Sequence, residues 1–290
     1  MYQNMKILYF QSSMHFKNHH ALVNYKNITL HVIHSPNLDS INLTEYDVVY
    51  SPCQPIDVSK YPNTKFIFGP HFSVFPDNRL NLIKSEKTVY NLLSDWVINI
   101  WRKSNLCDNL KLVNLPFGVD TERFKDVKPI AERDKVFIYF KTRHPSLLQV
   151  IESFLISKSI DYVIFNYDTK YNEKAYIEYL QNSNYGIWVG IHESQGFALE
   201  EALSCNVPLL VWNVKSMSDE YNSRYENIPA TAIPYWDERC GEYFYDRAEL
   251  ENTFNKFIGN IENYKPREYI LENLSFDVCE NRLINFIQNM

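Results

Sequence analysis

The chain has 290 residues, a formal net charge of -6, and 45% hydrophobic and 15% aromatic residues. That length suits two domains of roughly 100–150 residues each, and the acidic balance argues against a nucleic-acid partner, which would need a basic face. No apolar run approaches the ~20 residues needed to cross a bilayer and no cleavable signal pattern is seen, so a cytoplasmic protein is expected, soluble or at most peripheral to a membrane.

In chain order, the short β-branched and aromatic runs KILYF, ITLHVI, DVVYS and KFIFG read as strands. Residues 95–100 (DWVINI) and 111–117 (KLVNLPF) continue the series, while 79–93 carries a mixed helical period and is expected to pack on the sheet. These strands are apolar on both faces, as in a parallel sheet covered by helices. The segment LPFGVDTERF, residues 115–124, ends a strand at Pro116, turns at Gly118 and leads into charged chain through Lys135. It is the best domain boundary in the sequence. Beyond it VFIYFK is expected as a strand, 145–158 as a helix opened by Pro145, DYVIFN as a strand and 173–181 as a helix. YGIWVGI then reads as a strand, 196–204 as a helix and VPLLVWN as a strand, while the tail after Ala248 reads as helical. Such alternation describes an α/β protein. The domains expected are 1–118, a linker at 119–134, 135–272, and a C-terminal helix at 273–290 that could pack back on the first domain.

The five cysteines (Cys53, Cys107, Cys205, Cys240, Cys279) are scattered, odd in number and without CxxC spacing. They suggest reduced, mostly buried thiols and neither a zinc site nor a disulfide framework. The richest stretch for chemistry is HESQGFALEEAL, residues 192–203. It runs from a strand into a helix, so the backbone N–H groups of Ser194, Gln195, Gly196 and Phe197 lie at a helix N-terminus, which suits an anion such as a diphosphate. Gly196 lets the backbone come close. Glu193 before the helix and Glu201 within it are carboxylates fit to accept from sugar hydroxyls. An ordinary helix with an acidic first turn fits the same residues.

HESQGFALEEALSCNVPLLVW resembles the donor-site motif of retaining GT-B glycosyltransferases of the family-4 type, with matches at Glu193, Gly196, Glu201, Ala202 and Pro208. LPFGVDTERF is similar to that family's interdomain linker, and VFIYFKTRHP to its first C-domain strand and phosphate-contacting turn. The resemblance implies the GT-B fold, two Rossmann-like domains facing a central cleft with C-terminal helices. It implies a donor nucleotide sugar, a glycan or lipid-linked acceptor, hexose transfer with retention, and no metal cofactor. Carried over, Glu193 would contact the transferred sugar, Glu201 the ribose hydroxyls, and Arg143 the phosphates. The family's lysine five residues after Arg143 is absent, since Leu148 stands there. Lys141, two positions before Arg143 and expected on the same side of the strand end, is taken as the replacement cation.

Metal-dependent enzymes of this chemistry use Asp-x-Asp; none occurs here, and Asp120-Thr-Glu122 reads as a turn. His71, in GPHFSVFP, is placed like a family histidine that hydrogen-bonds the donor sugar, although a histidine in a proline-bounded loop is an equal reading. His15, His19 and His20 are expected in a loop after the first strand, and His144 and His192 beside the site. PYWDERCGEYF is expected to be an aromatic loop. A non-catalytic nucleotide-sugar or glycan-binding protein of the same fold is the rival from another class.

Overall fold

The computed structural model describes residues 4–11, 14–169 and 171–290. The chain divides into two compact units: the described residues up to Gly118 together with Phe276–Met290, and Val119–Ser275.

The first unit contains β1 (Met5–Phe10), α1 (Phe16–Val23), β2 (Ile28–Ile33), β3 (Val48–Ser51), β4 (Phe66–Phe68), β5 (Thr88–Leu92), α2 (Asp95–Trp101) and β6 (Lys111–Asn114). Among the described residues it carries a six-stranded sheet in the order β2-β1-β3-β4-β5-β6, parallel throughout. Strands β3, β4 and β5 are buried along their whole length, which is why they read as continuous apolar runs. One face packs Phe66, Phe68, Phe72 and Tyr90 with Trp101, whose ring stacks on Tyr90 at 4.6 Å.

Three expectations are corrected in this unit. Residues 95–100 form helix α2, not a strand: Ser94 is the N-cap residue and Asp95 puts a carboxylate in the first turn, where the helix dipole favours it. The β-prone Trp96, Val97 and Ile98 yield to that start signal. Residues 79–93 are a short 3-10 helix, Asn78–Ile83, followed by strand β5, so the helical period there is only partly realised. His19 and His20 lie on helix α1, not in a loop, and His15 is its N-cap residue.

The second unit contains β7 (Lys135–Phe140), α3 (Pro145–Ser157), β8 (Val163–Asn166), α4 (Glu173–Leu180), β9 (Ser183–Val189), α5 (Phe197–Ser204), β10 (Leu209–Trp212), β11 (Gly241–Phe244), α6 (Leu250–Gly259) and α7 (Pro266–Asn273). Its five described strands run in the order β11-β10-β9-β7-β8, again all parallel. On one face Tyr139 and Trp188, paired across β7 and β9, stack with ring centroids 3.8 Å apart. Gly186 leaves room for the buried Phe137 ring; a Cβ there would lie 2.3 Å from Phe137 Cζ.

Residues 119–134, expected as a linker, belong to this unit. Arg133 in that segment is 4% exposed and donates to the carbonyls of Cys205 (2.9 Å) and Lys128. β11 is a further correction, since GEYF is expected as loop. It is an edge strand in parallel register with β10, and its start depends on Gly241.

The last helix, α8 (Phe276–Gln288), belongs to the first unit. Its Glu280, 2% exposed, accepts from the backbone N–H of Asn27 at 2.5 Å and from Asn27 Nδ2 at 3.1 Å. Glu280→Ala would remove the shared acceptor of two donors on the exposed Asn27. A loss of about 1 kcal/mol is expected in urea unfolding, with a smaller loss for Glu280→Gln, which keeps one acceptor oxygen. Among the described residues no helix is long and apolar enough to cross a membrane.

Candidate functional site

In the second sheet β7 is flanked by β8 on one side and β9 on the other. Strand order reverses there, and in open parallel sheets the connections leaving the carboxyl ends of two such strands part to opposite faces and open a crevice. The two connections are residues 141–144, leading from β7 into α3, and residues 190–196, leading from β9 into α5. They carry Lys141, Arg143, Glu193, Ser194, Gln195 and Gly196, while Phe197 and Glu201 follow on α5.

Lys141 Nζ lies 2.6 Å from Glu193 Oε1, and the two side chains are 17% and 18% exposed. The Lys141 ammonium also stands 4.7 Å from the ring centroid of Tyr167. The backbone places both groups: Lys141 N–H donates to Val189 O at 3.1 Å, and Glu193 N–H to Thr231 O at 3.0 Å. Thr231 in turn is fixed by Asn213 at the end of β10. Asn213 is 3% exposed, its Nδ2 donates to Thr231 Oγ1 and its Oδ1 accepts from the N–H of Ala232.

Gly196 is the N-cap of α5 with φ +97, a conformation that other residues adopt only under strain. Gln195, 2% exposed, braces the turn by donating from Nε2 to Glu200 Oε2 at 3.1 Å. Ser194 is exposed and Phe197 half-buried. The first-turn N–H groups of α5 are directed out of its N-terminus. Glu201 is only 4% exposed and lies within electrostatic reach of Tyr171 and Tyr176.

Arg143 does not share a partner with Lys141. Thr142 between them has φ +45 and ends the strand alternation on which a common direction was expected. Its turn is held by Asp168 after β8, which accepts from Thr142 N and Oγ1 at 3.0 and 2.8 Å. Arg143 is 6% exposed and its Nη1 donates to the carbonyls of Gly190 and Trp212 at 3.0 and 3.3 Å. It ties together the carboxyl ends of β9 and β10, and burial lowers its pKa. Leu148, at the position of the absent lysine, packs on the core of this unit. His144 caps α3 by accepting from Ser146 N–H.

The loop between β10 and β11 adds residues that the sequence does not flag. Tyr221 N–H donates to Thr142 O at 2.8 Å, its ring meets His144 edge-on, and Tyr225 meets His192 in the same way. Glu220 comes with them; burial raises its carboxyl pKa, Lys141 opposes that rise, and Asp168 and Glu193 add to it. His192 is pushed down to about 4 by burial and by Lys141, so near pH 7 it is neutral and its 3.9 Å approach to Glu220 is not an ion pair. Among the described residues no three His, Cys, Asp or Glu side chains are disposed to hold a metal ion.

His71 belongs to the first unit. Its Nε2 lies 3.0 Å from Nδ2 of Asn18, a residue 2% exposed on α1. Nearby, the Tyr9 hydroxyl meets His19 Nδ1 at 3.3 Å. Burial, with a smaller contribution from His15, pushes His71 down to about 4. For both His71 and His192 the folded pKa lies below the ordinary 6.5, so the unfolded chain binds more protons between those values. Stability is therefore expected to be fully present above pH 6.5 and to be lost progressively as pH falls toward 4. Urea midpoints measured across that window check the sign, and His192→Gln should flatten the slope.

No protein-family model matches the sequence, and no curated protein matches it. Solved structures do. AviGT4, a glycosyltransferase involved in avilamycin A biosynthesis, is similar over 98% of this chain and 97% of its own, with a TM-score of 0.55 at 10% identity. Sucrose-phosphate synthase from Thermosynechococcus elongatus is similar over 84% of this chain and 74% of its own, with a TM-score of 0.52 at 10% identity. The GtfA/B complex matches 81% of this chain over 55% of its own, with a TM-score of 0.50 at 13% identity. At such identities the likeness defines the fold alone: this is an α/β chain with two Rossmann-like domains, the GT-B fold of those glycosyltransferases.

Proposed function

We propose that the protein is a glycosyltransferase that moves a hexose from a nucleotide sugar to a glycan or lipid-linked acceptor, with retention and without a metal. The observation that carries this reading is the pairing of Lys141 with Glu193 at the switch point of the second sheet, beside the N-terminus of α5. A cation and a hydroxyl-accepting carboxylate stand side by side where a parallel sheet receives ligands. The glycosyltransferase neighbours support the class.

In this reading the diphosphate lies between the Lys141 ammonium and the first-turn N–H groups of α5, which stabilise the charge that builds on the leaving phosphate. Glu193 accepts from hydroxyls of the transferred sugar and Glu201 from those of the ribose. Arg143 acts by holding the ends of β9 and β10 and by adding positive charge beneath the turn, with its Nη1 on the strand-end carbonyls. His71, neutral near pH 7, serves as a hydrogen-bonding group and not as a proton source. Retention follows from attack on the leaving-group face, the departing phosphate oxygen taking the acceptor's proton.

The test is incubation with a panel of UDP- and GDP-sugars, with and without EDTA, following donor hydrolysis and transfer. Consumption of at least one donor, unchanged by EDTA, is expected. Activity abolished by EDTA overturns the metal-free part. Binding without turnover across a broad acceptor panel, insensitive to Glu193→Ala, would identify a non-catalytic sugar-nucleotide-binding protein.

A further inference from the structure

We propose that the Lys141–Glu193 ion pair makes the crevice select an intact sugar nucleotide over the free nucleoside diphosphate. The inference rests on the reading of this crevice as a sugar-nucleotide site, and it gives the pair a second role, that of discriminating between substrate and product.

Lys141 is the cation in contact with Glu193, at 2.6 Å, and both side chains are more than four-fifths withdrawn from solvent. Two other basic groups of the same connections are placed differently. Arg143 has its Nη1 on two strand-end carbonyls, and His192 is neutral near pH 7. The carboxylates, in contrast, are several: Glu220 lies within electrostatic reach of Lys141 and of both Asp168 and Glu193. A diphosphate that enters and draws Lys141 toward itself leaves Glu193 without its cation among like charges, and a half-buried carboxylate in that state is costly.

An intact donor repairs the loss that it causes. While its diphosphate engages Lys141, a sugar hydroxyl donates to Glu193, so each partner of the broken pair gains a new one. The free nucleoside diphosphate has no group for Glu193. The pair thus works against product rebinding and in favour of the loaded donor. No bond is made or broken in the exchange, and its energy comes from differential contacts alone.

The experiment measures the affinities of UDP, GDP, UDP-glucose and GDP-mannose by calorimetry for the native protein, Glu193→Gln, Lys141→Met and the double variant. The native protein should bind its sugar nucleotide more tightly than the matching diphosphate. Glu193→Gln should tighten the diphosphate by up to about fivefold, the size expected for releasing a partly exposed ion pair, and weaken the intact donor, so that the preference collapses. In the Lys141→Met background Glu193→Gln should leave diphosphate affinity unchanged, since no pair remains to break. Urea midpoints close to the native value show that each variant is folded. Unchanged or weaker diphosphate binding in Glu193→Gln overturns the inference and leaves the donor site standing. The same tightening in the Lys141→Met background also overturns it, because plain charge repulsion would then suffice. If the native protein binds none of the four nucleotides, the donor-site reading itself fails.

Discussion

Replacement of Glu193 by alanine is expected to lower the rate of sugar transfer at saturating donor by about 100-fold or more, the range seen when one preorganised polar contact to a reacting group is deleted. Three features of the fold make the position stringent. Its backbone N–H is anchored to Thr231 O at 3.0 Å. Its carboxylate meets Lys141 at 2.6 Å. The Thr231 segment is itself held by the buried Asn213. The substitution removes the acceptor for the sugar hydroxyl and releases Lys141 from a defined position, so orientation is lost on both sides of the bond to be broken. Glu193→Gln keeps the shape and loses the charge, and should fall between native and alanine. Transfer assays at saturating donor check this; a rate within about threefold of native would remove Glu193 from the chemistry.

The largest expected effect on stability is at Gly241, where alanine should cost about 3 kcal/mol or more. Its φ is +136, and a Cβ there would sit 2.0 Å from Leu209 O and 2.9 Å from Leu209 N. The obstruction is strand backbone, which has no rotamer to yield. Backbone strain of about 1–3 kcal/mol adds to about 1–3 kcal/mol of overpacking. The neighbouring strand would lose its parallel partner β11, whose register begins at the Leu209–Gly241 pair. Gly196→Ala is the contrast: its added Cβ would meet Glu193 side-chain atoms at 3.5 and 3.7 Å, ordinary contact, so only the strain of φ +97 applies. Urea midpoints of the two variants should separate clearly, with Gly241→Ala the less stable.

Much of the architecture is legible because the strands are buried on both faces and stand out as compact apolar runs between helical periods. β1, β7 and β9 are cases where composition and environment agree. The misreadings come from local conflicts. At residues 95–101 five of the seven residues favour strands, yet Asp95 places a carboxylate in the first turn of a helix, and burial of Ile98 and Trp101 on one side completes it. β11 is hidden because its first residue is a glycine, which reads as a turn; the need for glycine arises from a Leu209 carbonyl contact that only the folded chain reveals.

The site divides in the same way. Glu193, Gly196 and Glu201 occupy one contiguous segment, so their spacing is legible. Asp168, Asn213, Glu220 and Thr231 reach the crevice from other connections, and no local spacing marks them. A weak signal exists for Asp168 and Asn213, each a polar residue within two positions of the carboxyl end of an apolar strand. Lys141 and Arg143 are expected to act together because strand side chains alternate, and the positive φ of Thr142 breaks that alternation. The cation beside Glu193 is Lys141, while Arg143 is spent on strand ends.

The most direct test of the donor site is hydrogen–deuterium exchange with and without saturating sugar nucleotide, run over the same UDP- and GDP-sugar panel. Protection should concentrate in residues 141–144 and 190–196, the two connections that leave the switch point, and should vanish in Lys141→Met. Protection confined to other segments, or none with any donor, would contradict a nucleotide-sugar site at the β7–β9 crevice.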